Sequence, residues 1–234
     1  MFIPSQSWGE DIAIDSSLVK KNLNQIKQNI AHYNVKIIAV TKYYGLKAII
    51  AGYEAGLREF GESRALEAIE KIQQLPTEIR TNSVFHFIGH LQSNKAEKVV
   101  KYFDVIQSID SLKIAKIVSK AACSLNKREK ILLQVNNAGE VQKSGYSKEQ
   151  LEADLEQILN LDGVCVTGLM NMAPLGAGDE ELARLFGDVR EFRDKLEKKY
   201  DIKLPELSMG MSDDFVIAVS QGATMIRIGR KLFT

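Results

Sequence analysis

The chain has 234 residues, 45% hydrophobic and 26% charged, the balance of an ordinary globular fold. Its 31 basic and 30 acidic side chains give a formal net charge of +1, which argues against a broad basic nucleic-acid footprint. Two cysteines, Cys123 and Cys165, are too few for a disulfide framework or a four-cysteine zinc site.

No run approaches the roughly 18 apolar residues that cross a bilayer. The segment from Met1 to Glu10 also lacks the charged-then-apolar order of a signal peptide, so a cytoplasmic protein without membrane contact is expected.

Leu18, Leu23, Ile26 and Ile30 recur at near-helical spacing among Lys, Asn and Gln and predict an amphipathic surface helix. Short β-branched or aromatic runs then alternate with longer helical stretches, the pattern of parallel βα units. Strands are expected at Lys36–Lys42, Glu59–Gly61, Val84–Gly89, Val105–Ser108, Ile131–Val135, Val164–Met170, Glu206–Ser208 and Met225–Ile228. Helices are expected near Leu46–Ala55, Ala65–Leu75, Asn94–Tyr102, Ser111–Ser124, Lys148–Asn160, Glu180–Tyr200 and Asp213–Gln221. A doubly wound open sheet gives similar alternation, but eight strands favour a single (β/α)8 barrel of the TIM type. The N-terminal helix would fill the gap left where no long helix follows strand eight. Pro4, Pro76, Pro174 and Pro205 fall at element edges and no linker divides the chain, so residues 1–234 read as one domain.

Such a barrel carries its functional residues where the strands end at the C-terminal face. Lys42 ends a strand of Ile37, Ile38, Ala39 and Val40, where packing alone would not select lysine. Partial desolvation in a barrel mouth disfavours the ammonium form, and a neutral amine condenses with an aldehyde. The plainer reading is a solvated, idle lysine. Ser208-Met-Gly-Met-Ser212 follows strand seven, and Gly229 follows strand eight. In these barrels the two loops often hold a phosphate through backbone N–H groups, although two glycine turns and an ordinary helix cap at Ser212 would read the same.

Arg227, flanked by Ile226 and Ile228, needs an acceptor if it points inward. A cofactor ring nitrogen or a carboxylate would serve. His86 and His90 suit a rim or core role, and no histidine spacing suggests a metal site. The chain lacks a serine-hydrolase elbow, a Walker loop and a dinucleotide fingerprint.

Seven motifs in order resemble the pyridoxal 5'-phosphate (PLP) homeostasis family, alanine-racemase-like single barrels of PLP fold type III. They are Ala39-Val-Thr-Lys42, Phe60-Gly-Glu62, His86-Phe-Ile-Gly-His-Leu-Gln-Ser-Asn-Lys95, Lys143-Ser-Gly145, Gly168-Leu-Met-Asn-Met-Ala-Pro174, Leu207-Ser-Met-Gly-Met-Ser-Asp-Asp214 and Met225-Ile-Arg-Ile-Gly229. The resemblance implies that Lys42 holds PLP as a Schiff base and that Arg227 faces the pyridine nitrogen. It implies that Ser208, with the backbone at Gly229 and Arg230, binds the phosphate, and that Met170 and His86 line the pocket. Three departures stand out. Thr41 precedes Lys42 where the family often has serine, Tyr43-Tyr44-Gly45 follows it in place of a second lysine, and Ser63 replaces a pocket-edge asparagine.

The resemblance implies a carrier that stores or delivers PLP without robust catalysis, with apo PLP-dependent enzymes as partners. The competing class is a PLP-dependent amino-acid racemase, whose opposite base comes from a second domain in the partner subunit. This sequence ends at Thr234, just past strand eight, so a monomer without robust catalysis is expected. A Schiff-base aldolase barrel without PLP would leave Arg227 and the phosphate loops less explained.

Overall fold

The computed structural model describes residues 14–139 and 144–234. Its strands are β1 (Lys36–Val40), β2 (Glu59–Glu62), β3 (Val84–Phe87), β4 (Val105–Ile109), β5 (Glu129–Val135), β6 (Val164–Asn171), β7 (Glu206–Ser208) and β8 (Met225–Ile228). They pair in parallel with their sequence neighbours, and β8 returns to β1 with Ile38 opposite Arg227, closing the barrel. That last pairing is what separates a barrel from an open sheet.

The helices are α1 (Ser16–Asn29), α2 (Leu46–Glu54), α3 (Ala65–Gln74), α4 (Thr77–Thr81), α5 (Ala96–Tyr102), α6 (Leu112–Ser124), α7 (Lys148–Leu159), α8 (Asp179–Tyr200), α9 (Phe215–Ser220) and α10 (Arg230–Phe233). The Asp15 side chain caps α1, which buries Val19, Leu23 and Ile26. This helix packs beside α2 and α10, and Asn22 Nδ2 donates to Leu232 O at 3.1 Å, so it fills the expected gap in the ring. Among the described residues no helix is long and apolar enough to cross a membrane.

Two short helices, α4 and α10, lie outside the expected set. Pro76 ends the run of α3 and opens α4, which is anchored by buried Ile79. The expected helix start at Asp213, capped by Ser212, is corrected. Asp214 Oδ1 accepts the Met211 N–H at 2.5 Å, which holds this stretch as a turn, and α9 begins only at Phe215.

Alternation along the strands divides the core. Ala39, Phe60, Phe85, Phe87, Leu207 and Ile226 belong to the large apolar cluster shared with the helices. Val105, Leu132 and Met170 form a separate small cluster. Beside it lie His86, Gln107, Ser208 and Arg227, all buried and hydrogen-bonded to one another in sequence. Bulky branched residues usually fill such a centre, so this polar column marks a departure from simple packing.

At the opposite end, Glu129 opens β5 with no exposed surface. Lys127 Nζ stands 2.7 Å from its Oε2, but both Glu129 oxygens lack an aligned hydrogen-bond donor among the described residues. Burial outweighs the Lys127 charge and pushes the carboxyl from 4.5 up to about 7. The folded state therefore binds more protons than the unfolded state between these values, and stability falls as pH rises through that window. The loss is on the order of 3 kcal/mol. Glu129→Gln is expected to raise Tm at pH 8 and change it little at pH 4, as thermal melts across that range would show.

Candidate functional site

Lys42 lies just past β1, partly buried at the C-terminal mouth, with its Nζ 5.0 Å from the centroid of the Tyr43 ring. The strand ends at Val40, although Thr41 N–H still donates to Gly61 O at 3.1 Å. The chain on both sides of Lys42 is tied down from below. Lys71 Nζ donates to Thr41 O and Tyr44 O, each at 3.0 Å, and to Glu62 Oε1 at 2.5 Å. Thr41 Oγ1 donates to the same Glu62 oxygen at 2.7 Å. Burial pushes the Glu62 carboxyl above its usual range, against the charge and hydrogen bond of Lys71.

Arg227 lies deeper. One terminal nitrogen donates to Ser208 O at 2.7 Å and to Ser208 Oγ at 2.8 Å, and the other donates to Asn171 O at 2.8 Å. These acceptors are all neutral, and among the described residues no carboxylate forms an ion pair with Arg227. The structural alternative of a carboxylate partner is therefore not realised. Burial lowers the guanidinium to about 10, against the charge of Asp214, so it remains a cation at neutral pH. The Asn171 side chain adds a buried Oδ1 that has no hydrogen-bond donor among the described residues.

The rim is built from several loops. Ser63, Gly89 and His90 line a cavity of about 520 Å³ between the loops after β2 and β3. A Cβ at Gly89 would lie 2.2 Å from Ser63 O, so only glycine permits this approach. Gly229 is partly exposed beside Val40, and Arg230 Nη2 donates to Asp213 Oδ2 at 2.6 Å, joining the loops after β7 and β8. Gly210 has φ +92°, and a Cβ there would lie 2.6 Å from the Ala218 Cβ. Its carbonyl accepts the Arg227 N–H at 3.0 Å.

Ser208, Met170 and His86 all lie in the buried interior beside Arg227, with exposures of 0%, 0% and 1%. The Ser208 hydroxyl donates to Gln107 Oε1 at 2.7 Å and accepts from Arg227 at 2.8 Å. Sequence reasoning missed Lys71 and Gln107. Lys71 interrupts the apolar stripe of Ala68, Ile69 and Ile72, and Gln107 lies in the fully buried strand β4 after Val105 and Ile106, so each was a polar residue at a core position.

The alanine racemase N-terminal domain family matches residues 14–234. A pyridoxal phosphate homeostasis protein from Synechocystis sp. is 42% identical over 200 residues, covering 86% of this chain and 91% of that protein. The chain belongs to the pyridoxal phosphate homeostasis protein family. PipY of Synechococcus elongatus PCC7942, a structural match solved without PLP and with PLP bound, has TM-scores of 0.87 and 0.84 and identities of 39% and 38%. Each alignment covers 92% of this chain and 100% of PipY. An alanine racemase of Clostridium difficile 630 has a TM-score of 0.78 at 17% identity, over 94% of this chain and 57% of the racemase, which shows a shared fold alone. The resemblance drawn from the separated motifs is thus borne out as family membership. Of the PLP homeostasis motifs, Lys143 of Lys143-Ser-Gly145 lies outside the described residues.

Proposed function

We propose that this chain holds PLP at the barrel mouth and serves its intracellular homeostasis by storage or delivery, without robust catalysis. The observation that carries this reading is Arg227, a buried cation whose three hydrogen-bond acceptors are neutral. A guanidinium has five N–H donors, and a buried cation is costly without an electron-rich partner. A pyridine nitrogen meets that need, and the Asn171 Oδ1, which has no donor among the described residues, fits a site that admits a polar ligand.

Lys42 and Arg227 approach such a ring from different levels. Arg227 pairs with Ile38, and Lys42 lies four residues further along, about 13 Å at roughly 3.3 Å per residue. PLP supplies an aldehyde for an amine and a ring that draws electrons. Lys42 offers the amine. Arg227 keeps its protons, so it does not acidify the ring nitrogen, and the ring stays a weak electron sink. Backbone at Gly229 and Arg230 faces the phosphate, with the Arg230–Asp213 pair holding the two loops together. Ser63 stands at the pocket edge. In this reading the protein is a cytoplasmic monomer whose partners are apo PLP-dependent enzymes.

Titration of the purified protein with PLP tests the reading. An absorbance band at the blue edge of the visible is expected to saturate, and to be lost in Lys42→Ala. No band at saturating PLP sinks the proposal. Amino-acid α-proton exchange into deuterated water at enzymatic rates, dependent on Lys42, would replace the carrier with a racemase-like enzyme.

A further inference from the structure

The buried column below Arg227 has a direction. Arg227 only donates, so Ser208 Oγ accepts from it, and the hydroxyl donates to Gln107 Oε1 at 2.7 Å. That orients the Gln107 amide, whose Nε2 then donates to His86 Nδ1 at 2.9 Å and reaches Met225 Sδ at 3.8 Å. His86 Nδ1 is therefore the unprotonated nitrogen, and Nε2–H points at Glu59 Oε2, 2.6 Å away. Glu59 begins β2 at the end of the barrel away from Lys42. Burial works against its ionised form. The hydrogen bond from His86, with the charges of Lys36 and Lys130, more than offsets this and holds the carboxyl below its usual range.

We propose that Gln107, His86 and Glu59 are positioning residues, which fix Ser208 and Arg227 for contact with the cofactor ring through a one-directional hydrogen-bond chain crossing the barrel. The inference rests on the PLP reading above. In this orientation each link pairs a donor with an acceptor. Removing Gln107 leaves the Ser208 hydrogen without its acceptor and lets Arg227 turn. Linked hydrogen bonds also polarise one another, so a change at the Glu59 end is felt at Arg227.

The test compares PLP titrations of the wild type, Gln107→Leu and Glu59→Leu. Both variants are expected to keep the Lys42-dependent band, to bind PLP roughly tenfold more weakly, and to shift the pH profile of that band. Glu59→Gln keeps an acceptor for His86 Nε2–H and is expected to stay within about threefold of wild type. A purely structural role would lower Tm in the leucine variants without moving affinity or pH profile, and that result overturns the inference while leaving the PLP reading intact. No band in the wild type sinks both.

Should the leucine variants not fold, nitrogen NMR of the wild type decides. Only three histidines need assigning. His86 is expected to carry its proton on Nε2 and to shift when PLP is added. A protonated Nδ1, or a His86 signal unmoved by saturating PLP, overturns the inference.

Discussion

Lys71→Met is expected to destabilise the protein by about 3–5 kcal/mol, the cost of breaking a buried ion pair from one side. At roughly 2–4 °C of Tm per kcal/mol for a chain of this size, the melt should fall by about 6–20 °C. The methionine fills space but leaves the Glu62 carboxylate buried without its cation, together with the Thr41 and Tyr44 carbonyls. The side chains of the pair are 5% and 1% exposed, so water cannot take over the lost contacts. Burial already raises the Glu62 carboxyl, and losing Lys71 raises it further, so the defect should deepen as pH rises. A Lys71→Met/Glu62→Leu double variant should recover much of the loss, because a hydrophobic replacement of both partners is often close to neutral. Because Lys71 ties the carbonyls flanking Lys42, the single variant should also weaken PLP binding. The double variant should recover stability more fully than binding.

Arg227→Leu separates binding from stability in the opposite way. Removing a buried cation that has only neutral acceptors relieves desolvation, while Ser208 O and Asn171 O lose a donor. These effects oppose one another, and Tm should move by no more than about 4 °C. PLP affinity should nevertheless fall by roughly ten- to a hundredfold, the worth of one hydrogen bond from a charged donor. Lys42 is untouched, so the visible band should still form at higher PLP. Thermal melts and absorbance titrations on the same preparation check both halves. A large fall in Tm with unchanged affinity would make Arg227 a structural residue.

Much of this architecture was legible from local patterns. The alternation of β-branched runs with helical stretches placed every strand to within a few residues, because each strand packs a largely apolar face against the helices. Lys42 and Arg227 were visible because charge in an apolar strand demands a reason. The short helices α4 and α10 were not visible, since helices of five and four residues depend on tertiary contacts more than on periodicity. The bond from the Ser208 hydroxyl to Gln107 on β4 spans 101 positions, beyond the reach of any local pattern. The partnership of Lys71 with Thr41 and Tyr44 joins α3 to the loop after β1, 27 to 30 positions apart, and no local pattern encodes it.

The central claim is that Lys42 is the residue to which PLP is joined. Borohydride reduction of the PLP-saturated protein, followed by proteolysis and peptide mass mapping, tests it most directly. The phosphopyridoxyl mass should appear on the peptide containing Lys42, in near one-to-one yield, and vanish in Lys42→Ala. Stoichiometric label on another lysine, with Lys42 unmodified, would contradict the account.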